Sequence, residues 1–530
     1  MATIEIYDTT LRDGTQGLEF NLTAEDKVAI AKRLDAFGVD FIEGGWPGSN
    51  PKDLRFFELM KREKLAFSRL AAFGSTRHKN SRPEDDGNIQ ALLEAETPVV
   101  TIFGKTWDLH VREALGANLE QNLEMIQDSV AYLKSQGKMV IYDAEHFFDG
   151  FKADADYALK TLQAAADGGA DRLVLCDTNG GSLPDFVSER VKEALAELDV
   201  PIGVHTHNDA ELGVANALVG VQAGATHVQG TMNGYGERCG NANLVSIIPN
   251  LVLKLGYEQP QDLSKLRDIS HYIDERANLQ PNIRAAYVSD AAFAHKGGIH
   301  VSAVNKNPNT YEHVKPELVG NTRRILLSDL SGRANVLAKA GEFGEELDSK
   351  DPSVKAVVDK MKELENRGYA FEGAEASFQL MSKKVKGEYE AYFVLHGYNI
   401  NITKRDEDAV PLVEATIKVE VGGELEHTAA NGDGPVNALD KALRKALIRF
   451  YPSLEELELI DYKVRVLSGA ETGTASVVRV QVETTDGDEA WGTVGASTDI
   501  INASYEALID AIEYKLVKDK VIPKETQPVR

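Results

Sequence analysis

A (β/α)8 barrel, then mainly helical subdomains, then an α+β domain with an internal repeat: this is the fold the sequence predicts. Three observations predict it. Eight β-like runs alternate with helical patterns in the first half, polar residues gather where those runs end, and two similar segments recur near the C-terminus. The runs are Ile4-Tyr7, Phe41-Gly45, Leu70-Phe73, Val99-Phe103, Val140-Asp143, Leu173-Cys176, Ile202-His205 and Val228-Thr231. Between the first two lies Thr23-AEDKVAIAKRLDAF-Gly38, with Thr23 and Asp26 spaced as an N-cap pair and Gly38 as the stop. Asp156-Gly168 and Leu183-Leu198 read as helices of the same kind. Eight such units within about 255 residues match the count and size of a closed barrel, with a doubly wound sheet as the alternative.

The barrel is expected over 1–260. From 261 to 388 the pattern becomes mainly helical, with loops such as Asn305-Lys-Asn-Pro-Asn309 and a charged stretch from Glu342 to Asp351. In 389–530, Asn437-Ala-Leu-Asp-Lys-Ala-Leu443 and Asn502-Ala-Ser-Tyr-Glu-Ala-Leu508 agree at four of seven positions. Each opens a helix after an alternating strand, Ala415-Val421 and Ala475-Val482. Two strand-strand-helix copies imply a pseudo-symmetric domain. It serves either as a dimerisation platform or as an effector sensor, the latter because Asn431-Gly-Asp-Gly-Pro435 leaves helix N-terminal amides for a carboxylate.

Composition narrows the function. At 530 residues the chain exceeds one ordinary core, and its 43% hydrophobic content is globular. Mean hydropathy of −0.28 and the absence of a long uncharged apolar run argue against a membrane span. MATIEIYDTT has neither a basic nor an apolar leader segment, and two separated cysteines, Cys176 and Cys239, suit a reducing cytoplasm. A formal net charge of −25 disfavours nucleic-acid binding, which needs clustered Lys and Arg.

Reacting groups in such a barrel sit at the C-terminal strand ends, and polar residues crowd those positions. Strand one runs into Thr9-Thr-Leu-Arg-Asp-Gly-Thr-Gln16; strand five ends in Tyr142-Asp-Ala-Glu145, strand six in Asp177-Thr178, and strand seven in His205-Thr-His207. Gly236-Glu-Arg-Cys-Gly-Asn241 follows strand eight. Singly, each is as readily a cap or turn residue. Together they form a site. Asp13, His205 and His207 offer one anionic oxygen and two nitrogens, and Asn241 a carbonyl oxygen, a mixed N/O set that suits Mg, Mn or Zn. An open divalent site can chelate a 2-oxo acid, with Arg12 placed to stabilise the developing alkoxide; the plainer reading of Arg12 is a salt bridge.

LRDGTQ, HTHND, GERCGNAN and FAHKGGIH together resemble the alpha-isopropylmalate synthase, homocitrate synthase and citramalate synthase family, the DRE-TIM metallolyases, over nearly the whole chain. Glu43-Gly-Gly-Trp-Pro-Gly-Ser-Asn-Pro-Lys-Asp53 and Asp461-Tyr-Lys-Val-Arg-Val-Leu-Ser-Gly469 look most like its citramalate synthases. The resemblance implies a divalent-metal-dependent acyltransferase that condenses acetyl-CoA with a 2-oxo acid and then hydrolyses the thioester. It implies metal ligation by Asp13, His205, His207 and Asn241, an oxyanion-stabilising Arg12, a catalytic Glu145, and a Thr178 hydroxyl on the substrate carboxylate. Tyr142 is taken with Arg12 and Thr178 as substrate-binding, and His300 and Tyr311 match catalytic residues reaching in from beyond the barrel. At Lys296-Gly297 the chain departs from the family's usual Glu-Ser. Pyruvate is the expected acceptor, with isoleucine as feedback effector of a regulatory C-terminal domain in a cytoplasmic homodimer. The alternatives are 2-oxoisovalerate with leucine feedback, carbon–carbon cleavage by a lyase, which the long C-terminal repeat disfavours, and a non-catalytic amino-acid sensor.

Overall fold

The computed structural model describes residues 3–328, 331–342, 351–407, 410–467 and 475–524. The charged stretch at 343–350, and Ser468 and Gly469 of the Asp461 motif, lie outside them. The chain divides into two compact units, 1–293 with 313–323, and 294–312 with 324–530.

The first unit is built on a closed parallel barrel. Its strands are β1 (Glu5–Asp8), β2 (Phe41–Glu43), β3 (Arg69–Ser75), β4 (Val99–Lys105), β5 (Met139–Glu145), β6 (Arg172–Asp177), β7 (Ile202–Thr206) and β8 (His227–Gly230). Closure comes from β8 pairing with β1, Glu5 opposite His227 through Asp8 opposite Gly230. Period-2 alternation then sorts every strand residue to one of two cores. Tyr7, Phe41, Ala71, Val99, Ile141, Val174 and Cys176 fill the interior. Their neighbours Ile6, Ile42, Ala72, Val100, Val140, Leu173 and Leu175 face the helices. The helices start where the sequence says they should. Thr23 and Asp26 form a reciprocal capping box, and Gly38 ends that helix at φ +97°, a left-handed turn that favours glycine.

The second unit begins with a two-stranded parallel pair, β9 (Ala294–His295) and β10 (Arg324–Ile325), and the helix Gly298–Lys306. Helices Arg333–Glu342, Pro352–Asn366 and Glu375–Lys386 pack around Val336, Val357, Met361, Phe371 and Phe378. The repeat follows. Its first copy is β11 (Val394–Thr403), β12 (Leu412–Val421), β13 (Glu424–Gly432) and the helix Pro435–Ile448; its second is β14 (Glu458–Leu467), β15 (Val477–Thr485), β16 (Ala490–Ser497) and the helix Ile500–Lys518. Each copy thus holds three antiparallel strands, one more than the two read from the sequence. The missed strands lack clean alternation; β14, for instance, is exposed along most of its length. The pseudo-symmetry extends to single contacts. Thr428 Oγ1 donates to Ala442 O at 2.8 Å, and Thr493 Oγ1 makes the equivalent 2.8 Å bond to Ala507 O.

Candidate active site at the barrel mouth

The turn after β1 carries the first two groups. Asp8, buried at the strand end, accepts from the Thr10 amide (3.0 Å) and hydroxyl (2.9 Å), closing a local turn that brings Arg12 and Asp13 over the mouth. The Arg12 Nε donates to Glu43 Oε2 at 2.6 Å, and its Nη1 lies 3.4 Å from Asp13. Glu43, at the end of β2 and fully buried, is further held by the Thr9 hydroxyl and by the Tyr7 hydroxyl at 2.6 Å. The salt-bridge reading of Arg12 is therefore met, yet the guanidinium still lines the cavity, 3.7 Å above the Phe73 ring.

Asp13, His205 and His207 converge. The two imidazole Nε2 atoms are 3.3 Å apart, and they lie 3.3 and 3.9 Å from Asp13 Oδ2. Ligands about 2.1 Å from one centre stand roughly 3.0–3.4 Å from each other, a range that holds the two 3.3 Å spacings, with His207 standing somewhat farther from Asp13. His205 presents the correct nitrogen for a structural reason. Gln229 donates through Nε2 to Asp143 Oδ1 (2.9 Å), which turns its Oε1 to His205 Nδ1 (2.7 Å) and leaves His205 Nε2 directed at the cluster. Asn241 donates through Nδ2 to Tyr235 O at 3.2 Å, and its buried Oδ1 has no hydrogen-bond partner among the described residues. A buried orphan acceptor costs stability unless something outside the chain satisfies it. The loop needs its glycines to reach this geometry. A Cβ on Gly236, at φ +155°, would fall 2.2 Å from the Asn241 amide nitrogen, and one on Gly240, at φ +90°, 2.0 Å from Gly234 O.

The electrostatics follow from burial and proximity. Burial works against Asp13's charge, but Arg12 and the two imidazoles outweigh it and hold its carboxyl far below the usual range. His207 is pushed down to about 4 by burial and then by His205. For His205, burial is opposed by the Asp13 hydrogen bond and charge and then by Asp143, and the sum raises it. Burial lifts Asp143 to about 7. The site therefore holds an ionised carboxylate beside a readily neutral imidazole, the states a metal requires of its ligands.

A cavity of about 280 Å³ joins these groups to Glu145, Thr178, Cys176, Glu237, Arg238 and the rings of Trp46, Phe73 and Phe103. Glu145 is paired with Lys105. The Thr178 hydroxyl accepts from the His146 amide at 2.9 Å. Tyr142 is not in the cavity. Alternation along β5 turns Asp143 and Glu145 inward and Tyr142 into the strand–helix layer, where its hydroxyl lies close to Gly104 and its ring packs in the outer core. The substrate-binding role read for Tyr142 is corrected accordingly. His300 and Tyr311 belong to the second unit, where their rings stack at 4.2 Å with both residues exposed.

Residue-by-residue reading missed Glu43 as the holder of Arg12, Gln229 as the orienter of His205, Lys105 beside Glu145, and Asp143. Strand parity sets Asp143 and Tyr142 on opposite faces, and the closed barrel makes the Asp143 face the inward one. Gln229 lies 24 positions from its histidine and carries no local signal.

Residues 3–273 match the HMGL-like family, 287–369 the homocitrate synthase post-HMGL domain-like family, and 372–516 the LeuA allosteric (dimerisation) domain. The chain is 57% identical to an (R)-citramalate synthase of Geobacter sulfurreducens over 98% of its length and 99% of the relative's. An (R)-citramalate synthase of Aquifex aeolicus is 53% identical over 98% of both chains. A probable 2-isopropylmalate synthase of Methanopyrus kandleri is 32% identical over 96% of this chain and 97% of its own.

Proposed function

The chain belongs to the HMGL-like family and is similar over its full length to (R)-citramalate synthases, and on that premise we propose that it condenses acetyl-CoA with pyruvate to give (R)-citramalate and CoA. The observation that carries the reading is the convergent set of electron-pair donors, Asp13, His205 and His207, on the wall of a cavity that also holds Arg12, with the buried Asn241 Oδ1 left without a partner among the described residues. Asp13, His205, His207 and Asn241 would hold a divalent cation, Mn, Mg or Zn, which would supply Lewis-acid polarisation of the acceptor ketone.

The chain's own groups do the rest. Arg12, fixed by Glu43, faces the charge that develops on the ketone oxygen. The Thr178 hydroxyl takes the acceptor carboxylate. Glu145 with Lys105, and His300 and Tyr311 on the strength of their sequence motifs, form the acid–base set. One base removes a proton from the acetyl methyl, the enolate carbon bonds to the ketone carbon, and an acid protonates the alkoxide. Water then cleaves the thioester, and its proton leaves on the CoA thiol.

Pyruvate is favoured over 2-oxoisovalerate because five relatives named citramalate synthase share 46–57% of the sequence, whereas two named isopropylmalate synthase share 32%, as does a further citramalate synthase. The aromatic crowding of the cavity supports the same choice. CoA release should require pyruvate, fall at least about tenfold with 2-oxoisovalerate, stop on chelation, and return with added Mn or Mg. Faster release with 2-oxoisovalerate would assign the chain to isopropylmalate synthesis, and release indifferent to chelation would remove the metal.

We propose a division of labour into a catalytic barrel over 1–260, a mainly helical region over 261–388 and a regulatory domain over 389–530, the last supported by the LeuA-type match. We propose a homodimer with isoleucine as feedback effector, working in the cytoplasm. Both cysteines are free, and among the described residues no helix is long and apolar enough to cross a membrane. Isoleucine at millimolar concentration should lower CoA release while leucine does not, and light scattering should give twice the chain mass.

A further inference from the structure

Between β2 and the helix Pro51–Met60 runs Glu43-Gly-Gly-Trp-Pro-Gly-Ser-Asn50, of which the reaction above uses only Glu43. Trp46, half buried, stands edge-on in the cavity wall to Phe73 (ring centroids 5.9 Å apart) and to Phe103 (5.7 Å), and those two rings stack at 5.5 Å. Phe73 also lies directly under the Arg12 guanidinium. An acceptor whose ketone is taken up between Arg12 and the Asp13 cluster meets this aromatic wall with its alkyl group.

The indole is held unusually firmly for a loop residue. Its amide donates to Asp53 Oδ2 at 2.9 Å, and its Nε1 donates to Asn88 Oδ1 at 2.7 Å. Asn88 Nδ2 is in turn anchored on Ser75 O at 2.7 Å. The other Asp53 oxygen pairs with Lys27, whose ammonium also donates to Gly44 O at 3.2 Å. Lys27 is fully buried, and burial pulls its pKa down against the opposing charge of Asp53. An ion pair so placed contributes little net stability over an apolar pair of like volume, whereas it does hold the loop to one geometry. The backbone is closed around it. A Cβ on Gly44 would lie 2.1 Å from the Phe56 ring, and one on Gly45, at φ +149°, 2.5 Å from the Asp53 carboxylate. On β3, a Cβ at Gly74 would meet Asn88 Oδ1 at 2.9 Å.

We propose that Lys27, Asp53 and Asn88 are positioning residues that hold Trp46 as a size limit on the acceptor, admitting 2-oxo acids with one- or two-carbon alkyl groups and excluding branched ones. The proposal rests on the keto-acid condensation read above.

The test is the ratio of kcat/KM for 2-oxoisovalerate and 2-oxobutyrate to that for pyruvate, measured by CoA release in the metal-loaded full chain. Trp46→Ala should raise the 2-oxoisovalerate ratio by about tenfold or more, the scale set by one or two methylenes in an apolar pocket. Asn88→Ala should raise it several-fold, through KM more than kcat. The same change in a Trp46→Phe background should raise it no further, because phenylalanine has no N–H for Asn88 to hold. Thermal unfolding of each variant reports whether the barrel is intact, with Trp46→Phe as the change least disruptive to packing. An unchanged ratio in a folded Trp46→Ala overturns the size limit alone. An equal Asn88→Ala effect in both backgrounds overturns the positioning role. Wild-type enzyme that releases no CoA with pyruvate, or prefers 2-oxoisovalerate, overturns the condensation reading and the size limit together.

Discussion

The two ends of the barrel bury the same residue types to opposite effect. At the bottom, Glu5 accepts from Arg172 through both oxygens, at 2.8 and 2.9 Å, and lies 3.2 Å from His227 Nδ1. At the mouth, Asp13 also faces an arginine and imidazoles, 3.4 Å from Arg12 and 3.3 Å from His205. The bottom cluster is closed. Its carboxylate is saturated by a two-pronged guanidinium, and the unpartnered His227 Nε2 sits beside the Tyr7 and Phe41 rings rather than beside another donor. The mouth is open. Arg12 is drawn aside by Glu43, so Asp13 Oδ2 and two imidazole nitrogens are left to converge on one point. Residue type does not separate a structural cluster from a reactive one; the directions of the leftover lone pairs do, as does the barrel's own polarity, in which the bottom face serves stability and the top face chemistry.

The largest effect that could break this contrast is removal of a converging donor. His207→Ala should lower kcat by more than about a thousandfold and lose bound metal in parallel, as expected for a whole electrostatic centre. Metal content retained with normal turnover would make the mouth as inert as the bottom. His300→Ala asks whether the barrel mouth is the whole acid–base apparatus. Turnover should fall about a hundredfold or more, the scale of general acid–base catalysis, while the keto-acid KM barely moves. An unchanged kcat would confine the chemistry to the first unit.

Gln229→Leu leaves every donor in place but frees the His205 ring. Metal affinity should drop about 10- to 100-fold, measured by competition with a chromophoric chelator, and excess metal should restore most of the activity. The smallest effect belongs to the bottom. Burial tends to raise Glu5, but Arg172 and His227 overcome it and lower Glu5 from 4.5 to about 2. Its ion pair therefore stabilises the fold fully above pH 4.5, and that contribution is lost as pH falls toward 2. Glu5→Gln should cost about 1 kcal/mol at pH 7, allowing for its partial exposure, with turnover unchanged. In urea unfolding the gap to wild type should close between pH 4.5 and 2; a gap that persists would mean Glu5 acts by packing rather than by charge.

Much of this was legible in the chain. The eight β-like runs lie within two residues of the observed strands at every end, and the Thr23–Asp26 cap and Gly38 stop are as read. Asp13, His205 and His207 could be grouped because each lies at or just beyond a strand end, and barrel topology sends all strand ends to one rim. Local rules suffice for such features: a capping box spans three residues, and a hydrophobic period is read within a single element.

What lay beyond the sequence has one physical origin. Which face of β5 looks inward depends on how eight strands register around a closed ring, so Tyr142 and Asp143 could be told apart only once β4 and β6 had paired beside them. The capture of Arg12 by Glu43, across 31 positions, and of Trp46 by Asn88, across 42, depends on side chains that share no local pattern. By itself the sequence determined the barrel and the repeat, because these arise from propensity and periodicity along the chain. Tertiary structure alone decided which nitrogen of His205 points at the cluster, where Arg12 is held, and how firmly Trp46 is fixed in the cavity wall, because hydrogen-bond direction is a property of neighbours in space.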